Sequence, residues 1–153
     1  PQFYQCNRTS TCGCGSTPVI LTPSRIVGGE EALAYSWPMT VSVRTDGDDS
    51  QHQCGGTILS NTYILTAAHC LSSYESGPVE GISIAAGMNH LLDSKQIRRT
   101  VDRIYIHPNY SRRINGYRND VALLHLNASL NTDANVFLTK TCVHRVDPPL
   151  ISS

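Results

Sequence analysis

The sequence carries no excess of charge of either sign. Twelve Lys+Arg balance twelve Asp+Glu in 153 residues, which excludes the strongly basic surface that a nucleic acid or an anionic membrane requires. Long apolar runs are also missing. A run such as Val121-Ala122-Leu123-Leu124 falls far short of the roughly 20 residues that cross a bilayer as a helix. No long stretch shows a 3.6-residue apolar period, so a single turn at Ala67 to Leu71 is all the helix expected. CxxC pairs are absent, and the nearest pattern, Cys12-Gly13-Cys14, lacks the matching histidine pair of a zinc site. No metal and no cofactor are expected. The chain starts at Pro1 without a signal peptide or an initiator Met, which leads to the expectation of a processed or incomplete product.

Apolar residues make up 40% and charged residues 16% of the chain, enough to bury a core in about one domain. The six cysteines are an even set, with Cys6, Cys12 and Cys14 crowded together. Three glycosylation sequons accompany them, at Asn7-Arg8-Thr9, Asn109-Tyr110-Ser111 and Asn127-Ala128-Ser129. Together they favour an oxidising, secretory route over free thiols in a cytosolic enzyme. The cysteines are therefore read as disulfides, which six residues can form in 15 ways.

Residues 1–25 are rich in Cys, Ser, Thr, Gly and Pro and lack apolar periodicity, so they read as a loop-like leader. From Ile26 onward short β-type runs alternate with turn clusters. The runs are Met39 to Arg44, His52 to Leu59, Thr62 to Thr66, Gly81 to Ala86, Gln96 to His107 and Val121 to Leu126. Turn clusters such as Thr45-Asp46-Gly47-Asp48-Asp49, Ser60-Asn61 and Ile114-Asn115-Gly116 punctuate them. Six short strands so separated predict an all-β antiparallel barrel or sandwich. Residues 141–153, containing Pro148-Pro149, read as a connector with nothing following it, a second reason to expect a truncated chain.

Three motifs carry chemistry. Arg25-Ile26-Val27-Gly28-Gly29 sets a basic residue before two β-formers. Thr66-Ala67-Ala68-His69-Cys70 sets a histidine just after a strand, and Asn119-Asp120-Val121-Ala122-Leu123-Leu124 sets an aspartate just before one. With Trp37-Pro38 and Cys54-Gly55-Gly56-Thr57-Ile58-Leu59, they closely resemble the chymotrypsin/trypsin-like serine protease family. The similarity runs from about Cys14 to Cys142 and corresponds to the first half of a family catalytic domain. It implies an antiparallel six-stranded barrel over residues 26–140, the first of the two barrels of that fold.

The resemblance also implies roles. A serine hydroxyl is a poor nucleophile near neutral pH and needs a base beside it. Histidine suits that task because its ordinary pKa, about 6.5, lets it take and return a proton. A carboxylate on the other ring nitrogen fixes the tautomer and stabilises the transient imidazolium. His69 is thus the implied general base and acid, and Asp120 its orienter. His52, His90, His107, His125 and His144 have no comparable setting and are read as surface or packing residues. Asn89 and Asp93 lie where some relatives bind calcium, but two oxygen-bearing side chains fall short of the usual six to eight ligands. The family nucleophile lies in Gly-Asp-Ser-Gly-Gly, a string absent from this sequence. Removing the nucleophile from a subtilisin triad costs about 2 × 10⁶ in kcat, roughly 8–9 kcal/mol. The chain alone is expected to be inert.

By the same resemblance, Arg25–Ile26 is a zymogen cleavage site for an activating protease, and Arg25 reports that activator's specificity rather than this chain's own. Cutting there would free an α-amino group at Ile26, mostly cationic at neutral pH. Cys54 is expected to pair with Cys70. A loop of about 15 residues so closed contributes about 3 kcal/mol in the chain-entropy model. Cys142 is expected to tether the leader through Cys14, leaving Cys6 and Cys12 to close a local loop. The implied whole is a secreted endopeptidase zymogen, with protein or peptide substrates and protease inhibitors as partners. The alternative is a non-catalytic protease homologue acting as a binding or regulatory module. A third reading, a short product acting by binding alone, is disfavoured because a lone barrel would expose apolar surface.

Overall fold

The computed structural model describes residues 33–45, 51–113, 116–133 and 137–141. The expected leader, the Arg25–Ile26 bond, Cys6, Cys12, Cys14, Cys142, Asn7 and His144 lie outside the described residues. Among the described residues the strands are β1 (Thr40–Thr45), β2 (Cys54–Ile58), β3 (Tyr63–Thr66), β4 (Gly77–Pro78), β5 (Ile82–Ala86), β6 (Ile97–Ile106), β7 (Ser111–Arg113), β8 (Gly116–Arg118) and β9 (Ala122–Leu126). One 3-10 turn spans Ala68–Leu71. No helix is long and apolar enough to cross a membrane among these residues.

Six strands close an antiparallel barrel in the order β1-β2-β3-β9-β6-β5, with β5 returning to β1. They lie within two residues of the six runs read from the sequence, and closure decides for a barrel over a sandwich. Closure depends on β6. Its first half, Ile97–Thr100, pairs with β5, and its second half, Val101–Ile106, pairs with β9. The register shifts between Val101 and Arg103, a bulge that bends the strand around the barrel.

Alternation fills the interior. Val41 and Val43 of β1, Ile58 of β2, Ile64 of β3, Ile82 and Ile84 of β5, Val101 and Ile104 of β6, and Leu124 and Leu126 of β9 are all buried in one cluster. Each such side chain contributes about 1.5–3 kcal/mol of transfer free energy when fully buried. Gly56 sits opposite Val41. A Cβ there would stand 2.9 Å from Ile64 Cγ2, 3.0 Å from Val41 Cγ2 and 3.1 Å from the Leu65 carbonyl. Glycine fits without displacement because two core methyl groups and the Leu65 carbonyl close onto that point.

The outer face of β1 is buried as well. Arg44 is 1% exposed, and its Nη2 donates to the Leu91 carbonyl at 2.9 Å and to Gln96 Oε1 at 2.8 Å. These bonds anchor the segment preceding β6 against β1, and they satisfy a charge that burial alone would make costly.

Candidate active site

The barrel brings two distant chain segments to one rim. Thr66 at the end of β3 pairs with Ala122 at the start of β9. The chain leaving β3 and the chain entering β9 therefore emerge side by side. The first continues into the 3-10 turn, where Ala68 and Leu71 are fully buried and act as pins. Cys70 is held to Cys54, the first residue of β2, by a disulfide. His69 is left on the outer side of the turn, its side chain 44% exposed. The second segment is set by Asn119, which adopts a left-handed φ of 51°, a conformation asparagine tolerates better than most residues. Its Nδ2 donates to the Asn109 carbonyl at 2.8 Å, tying the turn before β7 to the residue preceding Asp120.

Asp120 holds His69 at two points. Oδ1 accepts the His69 backbone N–H at 2.8 Å, and Oδ2 lies 2.7 Å from His69 Nδ1. An ionised carboxylate only accepts hydrogen bonds, so Nδ1 carries the proton and Nε2 of the neutral ring keeps its lone pair. Desolvation pushes the Asp120 carboxyl up. Bonds from the His69 ring and backbone, with the Ala68 N–H, outweigh it and hold the group below the usual carboxylate range.

The far side of the imidazole has defined neighbours. Cys70 Sγ lies 3.6 Å from Nε2, and a disulfide sulfur offers no proton to compete for the lone pair. The Tyr117 ring stacks on His69 with centroids 5.2 Å apart and planes at 19°, and Tyr110 continues the stack at 6.2 Å from Tyr117. Cys54, His69 and Cys70 place their potential ligand atoms within 4.8 Å of one another. The two sulfurs are bonded to each other, whereas a metal takes thiolates, so this group holds no metal in its oxidised form. The arrangement fixes the Nδ1–H tautomer of the ring's neutral form, which leaves the Nε2 lone pair directed away from Asp120.

Residues 26–145 match the family described as Trypsin. The chain belongs to the trypsin family. This trypsin-family chain is 36% identical over 129 residues to ovochymase of Halocynthia roretzi, an alignment covering 83% of the chain and 8% of that protein. It is 34% identical over 121 residues to chymotrypsin-C of Bos taurus, covering 76% of the chain and 42% of that protein. The chain thus spans less than half the length of either relative. In fold it is similar to the solved structure of neuropsin, a serine protease expressed in the limbic system of mouse brain. The TM-score is 0.62 at 21% identity, with 79% of this chain and 49% of that one covered.

Within this trypsin-family barrel the other singled-out residues are dispersed. Asn109 and Asn127 are exposed, on the turn before β7 and just past β9. Asp93 spends Oδ1 on the Lys95 N–H at 2.9 Å. His52 Nδ1 lies 2.9 Å from Ser42 Oγ, and His107 Nδ1 accepts the Asn109 N–H. His125 forms a second imidazole–carboxylate pair, its Nδ1 2.6 Å from Asp102 Oδ1. Asp102 is the bulged residue of β6, and His125 lies on the outward face of β9, next to its last residue, with its ring 4.9 Å from that of Tyr63.

Sequence reasoning missed Tyr117 of the β7–β8 hairpin, which stacks on His69, together with Tyr110, which stacks on Tyr117, and Arg112, the cross-strand partner of Tyr117. The only available signal was proximity, since Tyr117 lies three positions before Asp120.

Proposed function

We propose that this chain is the leader and first barrel of a secreted trypsin-like serine endopeptidase zymogen. Peptide bonds in protein substrates are hydrolysed by a Ser-His-Asp triad, with His69 as general base and acid and Asp120 as the residue that orients it. The observation that carries this reading is the two-point hold of Asp120 on His69, which leaves Nε2 as the free base. A serine hydroxyl supplied by polypeptide outside this sequence gives its proton to Nε2 as it attacks the carbonyl. The same proton then passes to the leaving amine, while Asp120 stabilises the transient imidazolium. The 153-residue chain is inactive without that hydroxyl.

Residues 1–25 act as the activation leader, 26–140 as the barrel and 141–153 as the connector to the remaining half. An activating protease cuts Arg25–Ile26, and a Cys14–Cys142 bond keeps the cut leader attached, with Cys6 bonded to Cys12. Secretion accounts for the disulfide and the sequons at Asn7, Asn109 and Asn127 together. Leu33, Trp37 and Phe137 are each about half exposed. The Thr139 N–H donates to the Pro38 carbonyl, so these residues lie on adjoining segments. They offer apolar area of the kind further polypeptide covers.

The test is to read the transcript beyond the Ser153 codon, then express the complete protein, activate it and assay it beside His69→Ala. The reading expects a Gly-Asp-Ser-Gly-Gly string and a loss in kcat of about 10⁶ for the variant. A replaced serine, or activity that survives His69→Ala, would overturn it in favour of a non-catalytic homologue or a different mechanism.

A further inference from the structure

The hairpin that lies over the imidazole is basic. Between Asp102 and Asp120 the sequence holds no acidic residue but has Arg103, Arg112, Arg113 and Arg118. Three of these fall in or at the ends of β7 and β8. The strand register sorts Arg112 from Arg118. Arg112 is the direct cross-strand partner of Tyr117, whereas Arg118 faces Ser111. Directly opposed residues of an antiparallel pair share a face, and neighbours along a strand point to opposite faces. Arg112 therefore stands on the same face as the ring stacked on His69, and Arg118 on the other.

Neither guanidinium is in an ion pair among the described residues, and both residues are exposed. Asp120 makes its side-chain bonds to His69 and, among the described residues, is not paired with Arg112. Burial, then the charge of Asp120 and then Tyr117 push the Tyr110 hydroxyl up, while the Arg112 guanidinium pulls it the other way. Arg112 and the His69–Asp120 pair thus act on one shared patch of surface.

We propose that Arg112 makes this site selective for acidic peptides, pairing with a Glu or Asp side chain of a substrate laid across His69. The inference rests on the protease reading above and adds the substrate class to it. A planar guanidinium suits the task, since it meets a carboxylate with two parallel hydrogen bonds. Arg118, on the opposite face, adds only to the long-range field that draws an acidic peptide in.

The test uses the complete, activated protease and paired fluorogenic peptides that differ by Glu against Gln at each position around the scissile bond in turn. At one position Glu should raise kcat/KM about three- to five-fold at low salt, the upper part of the range of an exposed ion pair. The preference should shrink towards parity as ionic strength rises. Arg112→Gln should abolish it, Arg112→Lys should keep part of it, and Arg118→Gln should leave it in place. Cleavage indifferent to Glu at every position, or a preference that survives Arg112→Gln, would overturn this inference alone. No cleavage of any peptide would overturn the protease reading along with it.

Discussion

Thr66 and Ala122 are cross-strand partners, and this pairing at the barrel rim is what sets His69 against Asp120 across 51 residues of chain. The two side chains need no long loop to meet. Each lies within three residues of a fixed strand end, one on a turn pinned by Ala68 and Leu71, the other beside Asn119. Precision at the site follows from strand register, which a buried interior enforces because a one-residue slip would turn every core side chain outward.

Removing the disulfide should loosen the rim. Cys54 and Cys70 are 16 positions apart, and closing a loop of that size contributes about 3 kcal/mol through the unfolded chain. The double substitution Cys54→Ser with Cys70→Ser is expected to lower unfolding stability by about that amount in a denaturant titration. Amide hydrogen exchange should accelerate most at Ala68 to Leu71. Unchanged exchange there would mean the turn is held by packing alone.

Asp120 predicts a pH dependence of stability. Its folded-state carboxyl lies below the ordinary value, so the group stabilises the fold fully above its unfolded pKa of about 3.9 and loses that contribution as pH falls through the depressed folded value. The stabilisation that Asp120 adds, read as the difference in unfolding free energy between the natural chain and Asp120→Ala, should shrink as pH falls below about 4. A difference that keeps its size into strong acid would contradict the ionic hold on His69.

Gly55 and Gly56 are neighbours with opposite expected tolerance. An added Cβ at Gly56 meets Ile64, Val41 and the Leu65 carbonyl at 2.9–3.1 Å, while one at Gly55 meets nothing within 4 Å. Gly56→Ala should destabilise by about 1–3 kcal/mol through overpacking. Gly55→Ala should stay within about 0.5 kcal/mol of the natural chain. Thermal or urea unfolding of the two variants side by side checks the contrast, and equal effects would place the close approach elsewhere.

The barrel was legible because its strands alternate. Val41 and Val43, Ile82 and Ile84, and Leu124 and Leu126 each mark an inward face at period two. His69 and Asp120 were legible through the short motifs around them and not through any periodicity. The β7–β8 hairpin was not legible. Its turn cluster was noted, but Ser111, Arg112, Tyr117 and Arg118 bury no apolar face, so no alternation announces the flanking strands. The burial of Arg44 was not legible either. Arginine is rarely buried without partners, and its partners Leu91 and Gln96 lie in a loop about 50 residues on, joined to it only by tertiary packing. The His125–Asp102 pair shows why geometry alone is insufficient. It repeats the imidazole–carboxylate contact at 2.6 Å, yet His125 lies on the outward face near the far end of β9 from Ala122, away from the rim where His69 sits beside the disulfide and Tyr117.

The account turns on which nitrogen of His69 carries the proton, and long-range ¹H–¹⁵N NMR of the imidazole reads this directly. At a pH where the ring is neutral, the natural chain should show Nδ1 protonated and Nε2 bare, and Asp120→Asn should abolish that preference. In the family's triad the same carboxylate-to-amide change lowers kcat about 10⁴-fold by favouring the wrong tautomer. A natural chain whose His69 is protonated on Nε2 would contradict the account, because the ring would then have no lone pair for the proposed serine hydroxyl.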